Sequence, residues 1–420
     1  MCGIVKDEIK NMKKAIVLAG TPPHATLIKK LKALGYYTIL IDYYPHPYAA
    51  DFADKHIRES TLDKEKVLQI AKAEKVDLVI TTCMDHANVT ACYVSEQLGL
   101  SHPYSYETAL TVTDKVIMKQ IMRMNGIPTS DFYVIHEVNE AFPIQVPYPL
   151  IIKPTDRNGS KGVHRADSED EVKKFVEEAL NTSFSHSAII EGFNNGDEIQ
   201  VDCFATDNGA DILMTRIKQK INNKDNKSVQ QSLGSIFPAP LDEKELQQAK
   251  DIANDIARSF QLKNTPFFYQ ANLTSNGIKV IEFAARVAGG LSYFVLKKIT
   301  GFDPIDGALL SWIGEPVLPV VKEPQKMYST NLIYMNAGVF SHIQGFEEMK
   351  NEGVITDSFC FLHKGDVINS DLQSGNRVGA FIVEANDKND LYSKMKRAVD
   401  HIDIIDMDGN KKMRKDFYNL

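Results

Sequence analysis

The stretch that decides the fold of this chain is Pro149-Leu-Ile-Ile-Lys-Pro-Thr-Asp-Arg-Asn-Gly-Ser-Lys-Gly-Val163. It opens with a short apolar run of strand character that delivers Lys153 at its end, and Pro154, which has no N–H, stops further pairing. The segment up to Gly162 is small, polar and glycine-containing, and a second strand can begin at Val163. Glycine lets backbone N–H groups approach anionic oxygens, and the lysine supplies a fixed positive charge. The pattern fits a hairpin that covers phosphate groups, and an ordinary glycine-containing hairpin fits the same residues.

The composition is that of an ordinary globular protein. The chain has 420 residues, of which 43% are hydrophobic and 25% charged, and this length predicts about two to four domains. The formal net charge of −7 argues against a nucleic-acid surface, which needs a basic patch. No apolar run approaches the roughly 18 residues of a membrane span. The five cysteines are scattered and form no CxxC pair, which favours reduced thiols in a cytoplasmic protein over disulfides or a zinc site.

Strands and helices alternate over the first eighty residues. Ala15–Ala19 is a buried strand, a helix ending at Gly35 follows it, and Thr38–Ile41 is the next strand. A third pair consists of helical Val67–Ala73 and extended Val76–Thr81. This alternation is typical of a parallel, doubly wound sheet. Because no GxGxxG motif follows the first strand, a dinucleotide site is not predicted.

The remainder of the chain contains further clear signals. The run Glu198–Phe204 alternates with period two, so Glu198, Gln200 and Asp202 share one face of a strand. Residues 216–229 are basic and polar, and 222–227 have the character of an exposed loop. From Val320 onward a smaller α+β unit is predicted. The other predicted elements are helices at 114–124, 169–180, 241–260 and 390–400, strands at 187–191, 331–335, 359–362 and 379–383, and a hairpin of 267–273 with 278–283.

With these elements in order, the chain resembles the ATP-grasp superfamily, specifically the carboxylate–amine ligases related to carbamoyl phosphate synthase and the L-amino acid ligases. The resemblance rests on ordered motifs: Asp-Lys before a helix and Gly-Ile-Pro after it, the Lys-Pro…Gly-Ser-Lys-Gly hairpin, Glu-Gly-Phe followed by Glu198, and Glu-x-x-x-Arg followed by Gly-Gly. It implies a fold of α/β and α+β class. The implied parts are a Rossmann-like N-terminal domain (1–113), an ATP-grasp core (114–318) with a mobile lid subdomain (about 128–193), and a small α+β C-terminal cap (319–420).

The resemblance also implies roles for individual residues at an ATP site. Lys115 and Lys153 match the two lysines that contact ATP phosphates. Arg286, assigned with Lys153 to catalysis, matches the residue that steadies the transferring phosphoryl group or the acyl-phosphate. The other implied nucleotide-binding residues are Gly159, Ser160 and Gly162 in the loop over the phosphates, Glu191 and Phe193 at the adenine edge, and Glu198 at the ribose hydroxyls.

The metal site departs from the family pattern. The family usually offers two acids and an asparagine to Mg²⁺, whereas this chain has Gln270 at the first position, Glu282 at the second and Ala284 in place of the asparagine. Mg²⁺ keeps several waters and needs only one or two carboxylates plus phosphate oxygens. Glu282 and Gln270 are therefore the expected ligands, with the number of metal ions left open and Mn²⁺ as an alternative metal.

The implied function is an ATP-dependent ligase that joins a carboxylate to an amine through an acyl-phosphate, with amino acids or small carboxylates as substrates. Two alternatives stay open: carboxyphosphate chemistry like that of carbamoyl phosphate synthase or the carboxylases, and an ATP-binding module weakened in catalysis. The expected partners are small molecules, with no nucleic acid and no membrane, and a homodimer is an open alternative. The acceptor pocket is expected near strand ends, at Met84, Asp85, His86, Arg286 and Tyr293.

Overall fold

The computed structural model describes residues 12–139, 146–157, 162–221, 231–369 and 376–418. The predicted phosphate-loop residues Gly159 and Ser160 and the polar segment 222–227 lie outside these ranges. Within the described ranges, no helix is long and apolar enough to cross a membrane.

The N-terminal part of the chain forms a four-stranded sheet whose strands are all parallel. Its elements are β1 (Lys14–Leu18), α1 (Pro22–Ala33), β2 (Tyr37–Ile41), β3 (Lys55–Ile57), α2 (Lys64–Glu74), β4 (Leu78–Ile80), α3 (Asp85–Leu98) and α4 (Tyr106–Thr111). The strand order is β3-β2-β1-β4. The central strands are continuous apolar runs because both faces of a parallel sheet are buried. The predicted doubly wound alternation is confirmed.

A second four-stranded sheet is antiparallel and contains the strands on either side of the lysine- and glycine-containing hairpin. Its elements, with the preceding helix, are α5 (Lys115–Met124), β5 (Phe132–Ile135), β6 (Leu150–Pro154), β7 (His164–Ala166), α6 (Glu169–Thr182) and β8 (Ala188–Gly192). The strand order is β5-β8-β6-β7. Strand β6 runs one residue beyond the predicted end at Lys153, because Pro154 still pairs with Ala188 of β8. Helix α6 buries Val172, Phe175 and Val176 against the sheet, so this unit has its own small core.

The largest sheet has eight strands and provides the platform for the site. Its central elements are β9 (Asp197–Thr206), β10 (Gly209–Lys220), β11 (Ser232–Phe237), α7 (Glu243–Ser259), β12 (Thr265–Thr274) and β13 (Gly277–Ala284), followed by α8 (Ser292–Thr300) and α9 (Pro304–Trp312). The predicted hairpin is β12 with β13, and helix α7 packs behind it, where the Tyr269 hydroxyl donates to the Ala249 carbonyl at 2.9 Å.

The C-terminal strands divide between two sheets. The elements are β14 (Met327–Tyr334), β15 (Gly338–Gln344), α10 (Phe346–Asn351), β16 (Asp357–Cys360), β17 (Val367–Ile368), β18 (Arg377–Ala385), α11 (Lys388–His401) and β19 (Asp403–Asp406). The large sheet has the order β13-β12-β9-β10-β11-β14-β18-β16, and β17-β15-β19 form a separate sheet. Three predicted C-terminal strands thus extend the core sheet. The class, α/β and α+β, is confirmed, and the domain boundaries stay predictions.

The pairing of β11 with β14 joins the two halves of the large sheet, and it leaves no room for a side chain at Gly234. A Cβ atom there would lie 1.9 Å from the Thr330 carbonyl oxygen, and the φ of Gly234 is +155°. Glycine is the residue that adopts this conformation without a steric clash. Close backbone contact across this strand pair therefore depends on Gly234.

We predict that Gly234→Ala lowers the free energy of unfolding by about 2 kcal/mol or more, because it adds backbone strain and forces β11 away from β14. Urea denaturation measures the change. Gly289→Ala is the matched control, since a Cβ atom at Gly289 has nothing within 4 Å. An equal loss of stability in both variants would show that the close contact between β11 and β14 does not require glycine at position 234.

Candidate active site

A carboxylate buried between two lysines lies at the centre of the candidate site. Lys153 Nζ is 2.6 Å from Glu191 Oε1, and Lys119 Nζ is 2.7 Å from Glu191 Oε2. Lys119, Lys153 and Glu191 are 1%, 5% and 6% exposed. Burial alone would raise the pKa of the Glu191 carboxyl, but the two ammonium groups lower it to about 2. The structure thus joins two of the predicted site residues through their side chains.

The strand register explains how Lys153 meets Glu191. Lys153 in β6 pairs with Ile189 in β8, and Glu191 lies two residues further along β8, on the same face. Diagonal neighbours at this separation are within reach of long side chains. The backbone of Glu191 remains paired with Ile151 and with Phe132. Its predicted role at the adenine edge stays a prediction.

Lys119 is a site residue that the sequence interpretation missed. It lies one turn of α5 after Lys115 and three residues before the buried Met122, on one face of the helix. Its ammonium also donates to Thr129 Oγ1 at 3.0 Å. Burial lowers the pKa of Lys119, although the charge of Glu191 opposes that shift. The i, i+4 spacing from Lys115 was the available signal, but nothing in the sequence showed that a carboxylate lay opposite.

The predicted metal ligands lie side by side on the large sheet. Gln270 in β12 pairs directly with Glu282 in β13, and Lys115 Nζ is 3.3 Å from Glu282 Oε2. Lys115 lowers the pKa of the Glu282 carboxyl against the effect of burial, and Lys153 and Lys218 act in the same direction. Glu282 is therefore held ionised at the meeting point of several cations.

Gln270 and Glu282 suit a magnesium ion that takes most of its ligands from phosphate oxygens and water. Within the part of the chain that the structure describes, no group of three or more His, Cys, Asp and Glu side chains is arranged to hold a metal. Glu282 offers one carboxylate and Gln270 one amide oxygen. Mg²⁺ bound with nucleotide typically uses one or two carboxylates, phosphate oxygens and waters. The donor set suits a metal that arrives with phosphate groups.

The predicted ribose-binding acid, Glu198, is bridged by two lysines of the adjacent strand β10. Lys218 Nζ lies 2.8 Å from Glu198 Oε1 and Lys220 Nζ lies 2.8 Å from Oε2. Burial would raise the pKa of Glu198, and these lysines lower it to about 2. The sequence placed both lysines in a basic, polar segment, whereas the structure puts them on the site-facing side of a strand.

Further along the same face is a buried polar group of Gln200, Asp202 and Arg216. Gln200 Nε2 donates to Asp202 Oδ1 at 2.9 Å, while Arg216 Nε is 3.7 Å from Asp202 Oδ2 and has no hydrogen-bond partner among the described residues. Arg216 Nη1 donates to Ser292 Oγ. Burial raises the pKa of the Asp202 carboxyl despite the nearby Arg216. A small cavity beside this group is lined by Asp202, Ser292, Arg286 and Tyr293.

Arg286 lies just beyond β13 and forms a bidentate ion pair with Asp85. Arg286 Nε and Nη2 donate to the two carboxylate oxygens of Asp85, both at 2.6 Å. Asp85 begins helix α3 at the carboxyl edge of the N-terminal sheet. Two residues expected near the acceptor pocket are thus brought together, and Tyr293 lines the cavity next to Arg286.

The remaining predicted residues lie at the margin. Phe193 is 37% exposed, and the Arg165 guanidinium carbon is 4.9 Å from its ring centre. Gly162 has a φ of +69°, and a Cβ there would lie 3.0 Å from Pro154 Cγ. Gly159 and Ser160 are outside the described residues. Their predicted contacts with nucleotide stay predictions.

The described side chains at this face carry more cations than carboxylates. A surface of this kind, half-buried beside a low-dielectric sheet, favours the binding of a polyanion such as a nucleoside triphosphate. The cations are Lys115, Lys119, Lys153, Arg216, Lys218, Lys220 and Arg286, and the carboxylates are Asp85, Glu191, Glu198, Asp202 and Glu282.

We predict that Glu191→Gln lowers the free energy of unfolding at pH 7 by about 3–5 kcal/mol, because it leaves two ammonium groups buried without a counter-charge. The control Glu169→Gln removes the exposed partner of Lys173 and should change stability little. The folded pKa of Glu191, about 2, lies below its usual value of 4.5. The contribution of ionised Glu191 to the free energy of unfolding is therefore complete above about pH 4.5, and it is lost as the pH falls towards 2. Urea unfolding of both variants and wild type from pH 7 to pH 3 measures this, and identical curves for the two variants would contradict it.

Two regions of the chain match known domain families. Residues 146–293 match the ATP-grasp domain, and residues 331–405 match the L-amino acid ligase C-terminal domain 2. Among curated proteins, the chain is 24% identical over 303 residues to the mitochondrial arginine-specific large chain of carbamoyl phosphate synthase from Neurospora crassa, which covers 68% of this chain and 25% of that protein. The chain spans about a fifth to a third of the length of such relatives.

Solved structures share the fold over nearly the whole chain. The L-amino acid ligase of Bacillus licheniformis superposes with a TM-score of 0.79 at 19% identity, covering 94% of this chain and 99% of that one. The biotin carboxylase domain of Hydrogenobacter thermophilus 2-oxoglutarate carboxylase, solved with MgADP and bicarbonate, gives a TM-score of 0.75 at 17% identity, covering 96% and 92%. The matched regions and the shared fold agree with the ordered motifs: residues 146–293 match the ATP-grasp domain, and residues 331–405 are similar to the C-terminal domain 2 of L-amino acid ligases.

Proposed function

We propose that this chain is an ATP-dependent ligase that joins a carboxylate to an amine and releases ADP and phosphate, with amino acids or small carboxylates as substrates. The observation that carries the proposal is the gathering of Lys115, Lys153 and Arg286 around Glu282. Those groups neutralise phosphate and acyl-phosphate charge, which is most of what phosphoryl transfer requires of a protein. The matched L-amino acid ligase C-terminal domain supports the choice of substrates.

In the proposed reaction, Lys153 and Lys115 bind the phosphate groups of ATP, and Glu198 binds the ribose. Lys119 and Lys153 now share Glu191, so a phosphate would compete with a carboxylate that is already in place. Glu282 and Gln270 would hold Mg²⁺, which supplies charge neutralisation at the phosphate oxygens when bound. The same binding surface holds the acceptor carboxylate in line with the γ-phosphorus.

Bond formation then follows in two steps. A carboxylate oxygen of the acceptor attacks the γ-phosphorus, the bond from that phosphorus to the bridging oxygen breaks, and ADP leaves. The neutral amine then attacks the carbonyl carbon of the acyl-phosphate, the carbon–oxygen bond to phosphate breaks, and one amine proton passes to the departing phosphate. Arg286 neutralises the negative oxygens in both steps. The surrounding protein keeps water from the acyl-phosphate meanwhile.

Carboxyphosphate chemistry is the second candidate function. The similarity to a carbamoyl phosphate synthase chain and to a biotin carboxylase domain favours it, since both fold neighbours and relatives include such enzymes. An assay of phosphate release from ATP distinguishes amide ligation from carboxyphosphate chemistry. It is run with pairs of amino acids and small carboxylates and with bicarbonate alone, and the products are identified by mass spectrometry. A catalytically weakened ATP-binding module would bind nucleotide but release phosphate with none of these. A homodimer and the use of Mn²⁺ stay open.

We predict that Lys153→Met reduces ATP turnover by about 100-fold or more, because methionine keeps the apolar stem but removes a positive charge aimed at the phosphates. Glu191 keeps Lys119 as its partner, so circular dichroism should show an intact fold. Lys173→Met, at an exposed lysine of α6, is the control and should retain wild-type turnover. Near-normal activity of Lys153→Met would remove this lysine from the phosphate site.

We predict that Glu282→Gln raises the Mg²⁺ concentration required for half-maximal rate by about 10–100-fold, since a hard cation loses the anionic protein ligand proposed for it. Gln270→Glu should have the opposite effect and tighten the Mg²⁺ dependence by restoring a second acid. The rate of phosphate release against Mg²⁺ concentration for wild type and both variants measures the change. A wild-type curve for Glu282→Gln would place the metal elsewhere.

A further inference from the structure

We propose that Asp85 positions the Arg286 guanidinium for the transfer reaction. This inference rests on the proposed function, in which Arg286 acts on the reacting phosphoryl and acyl groups. Asp85 and Arg286 are separated by 201 residues in sequence; Asp85 begins helix α3 after a strand of the N-terminal sheet, and Arg286 follows β13 of the large sheet. The ion pair therefore connects the carboxyl edge of the N-terminal sheet to the end of β13, where the reaction would take place.

The contacts of the ion pair fix the orientation of the Arg286 guanidinium, and the Asp85 carboxylate also balances its charge. Nε and Nη2 each donate to one oxygen of Asp85, and Nη1 donates to the Val287 carbonyl at 3.0 Å. A guanidinium has five N–H donors in a planar fork, so these contacts leave two N–H groups on Nη1 and Nη2. The Asp85 and Arg286 side chains are 22% and 14% exposed. The two remaining donors can therefore reach a ligand while the plane of the fork is held.

Other side chains from the same part of the chain hold the backbone next to Arg286. The Tyr104 hydroxyl donates to the Ala285 carbonyl at 2.7 Å, and Asn88 Nδ2 lies 3.4 Å from that oxygen. The Cys83 thiol donates to the Ala288 carbonyl at 3.4 Å. These contacts already fix the path of the chain around Arg286. The Asp85 carboxylate additionally fixes the orientation of the Arg286 side chain, which is the part of this residue that would contact a substrate.

A purely stabilising ion pair and a positioning residue predict different kinetics. Loss of stability alone would lower the amount of folded enzyme without changing the constants of each folded molecule. A guanidinium that is free to rotate lowers kcat, because Arg286 spends less time in the productive orientation. Binding of ATP depends on the lysines instead, so its KM should be unaffected. The distinguishing readout is a lower kcat per folded molecule, with the folded fraction of each variant measured by circular dichroism, without a change in the KM for ATP.

The test compares Asp85→Asn with Asp85→Glu and Tyr104→Phe. We expect Asp85→Asn to lower kcat by about 10-fold or more with the KM for ATP within about 2-fold, and Asp85→Glu to recover part of that loss because it keeps a carboxylate. Tyr104→Phe removes a backbone anchor only, so it should lower thermal stability with kcat close to wild type. Equal kcat losses in Asp85→Asn and Tyr104→Phe would overturn the proposal. So would an unchanged kcat with a lower KM for the acceptor, since Asp85 would then compete with substrate for Arg286.

A second readout does not depend on turnover. In ¹H–¹⁵N spectra of arginine-labelled protein, the Nε–H signal of Arg286, assigned with Arg286→Lys, should be protected from exchange in wild type and in Asp85→Glu and lost in Asp85→Asn. A signal that persists in Asp85→Asn would overturn the proposal. If wild type releases no phosphate with any substrate pair, the proposed function fails, and the Nε–H signal still decides whether Asp85 holds Arg286.

Discussion

The site depends on one buried electrostatic arrangement, the carboxylate of Glu191 between the ammonium groups of Lys119 and Lys153. Transferring three charges out of water is costly, and it is tolerable only where each group finds a close partner. The partners here come from helix α5 and from strands β6 and β8. Because no one of these elements can move without leaving a charge unpaired in an apolar environment, the arrangement holds Lys119 and Lys153 in fixed positions.

The large sheet contributes a row of polar side chains that are aligned by strand pairing. Gln200, Gln270 and Glu282 are directly paired across β9, β12 and β13, and Arg216 of β10 pairs with Gln200. Side chains that are paired in register point to the same face, so the row delivers two amides, a carboxylate and a guanidinium along one line. Strand geometry fixes their spacing far better than a loop would. A site on such a row can align a phosphate, a metal and an acceptor with little reorganisation.

Local patterns predicted those parts of the fold and site that depend on sequence neighbours. Period-two alternation placed Glu198, Gln200 and Asp202 on one face, and the predicted hairpin of 267–273 with 278–283 is the one that pairs Gln270 with Glu282. Lys119, Lys218 and the Asp85–Arg286 pair were missed or left unpaired, because each acquires its partner from a distant segment. The addition of β14, β16 and β18 to the core sheet was missed for the same reason. Strand propensity indicates that a segment pairs, and it does not indicate with which strand.

The departures from the family pattern at the proposed metal position can be interpreted from the surrounding charges. Gln270 and Ala284 remove one negative charge and one oxygen ligand relative to the usual pattern, which would weaken a metal held by protein alone. Lys115, Lys153 and Lys218 all lie within electrostatic reach of Glu282, and these cations can neutralise phosphate oxygens directly. A second acid at position 270 would compete for the same lysines and reduce the net positive charge that the phosphates meet. In the proposed reaction, the neutral amide leaves more of the phosphate charge to these lysines, and less to a metal, than the usual ligand set does.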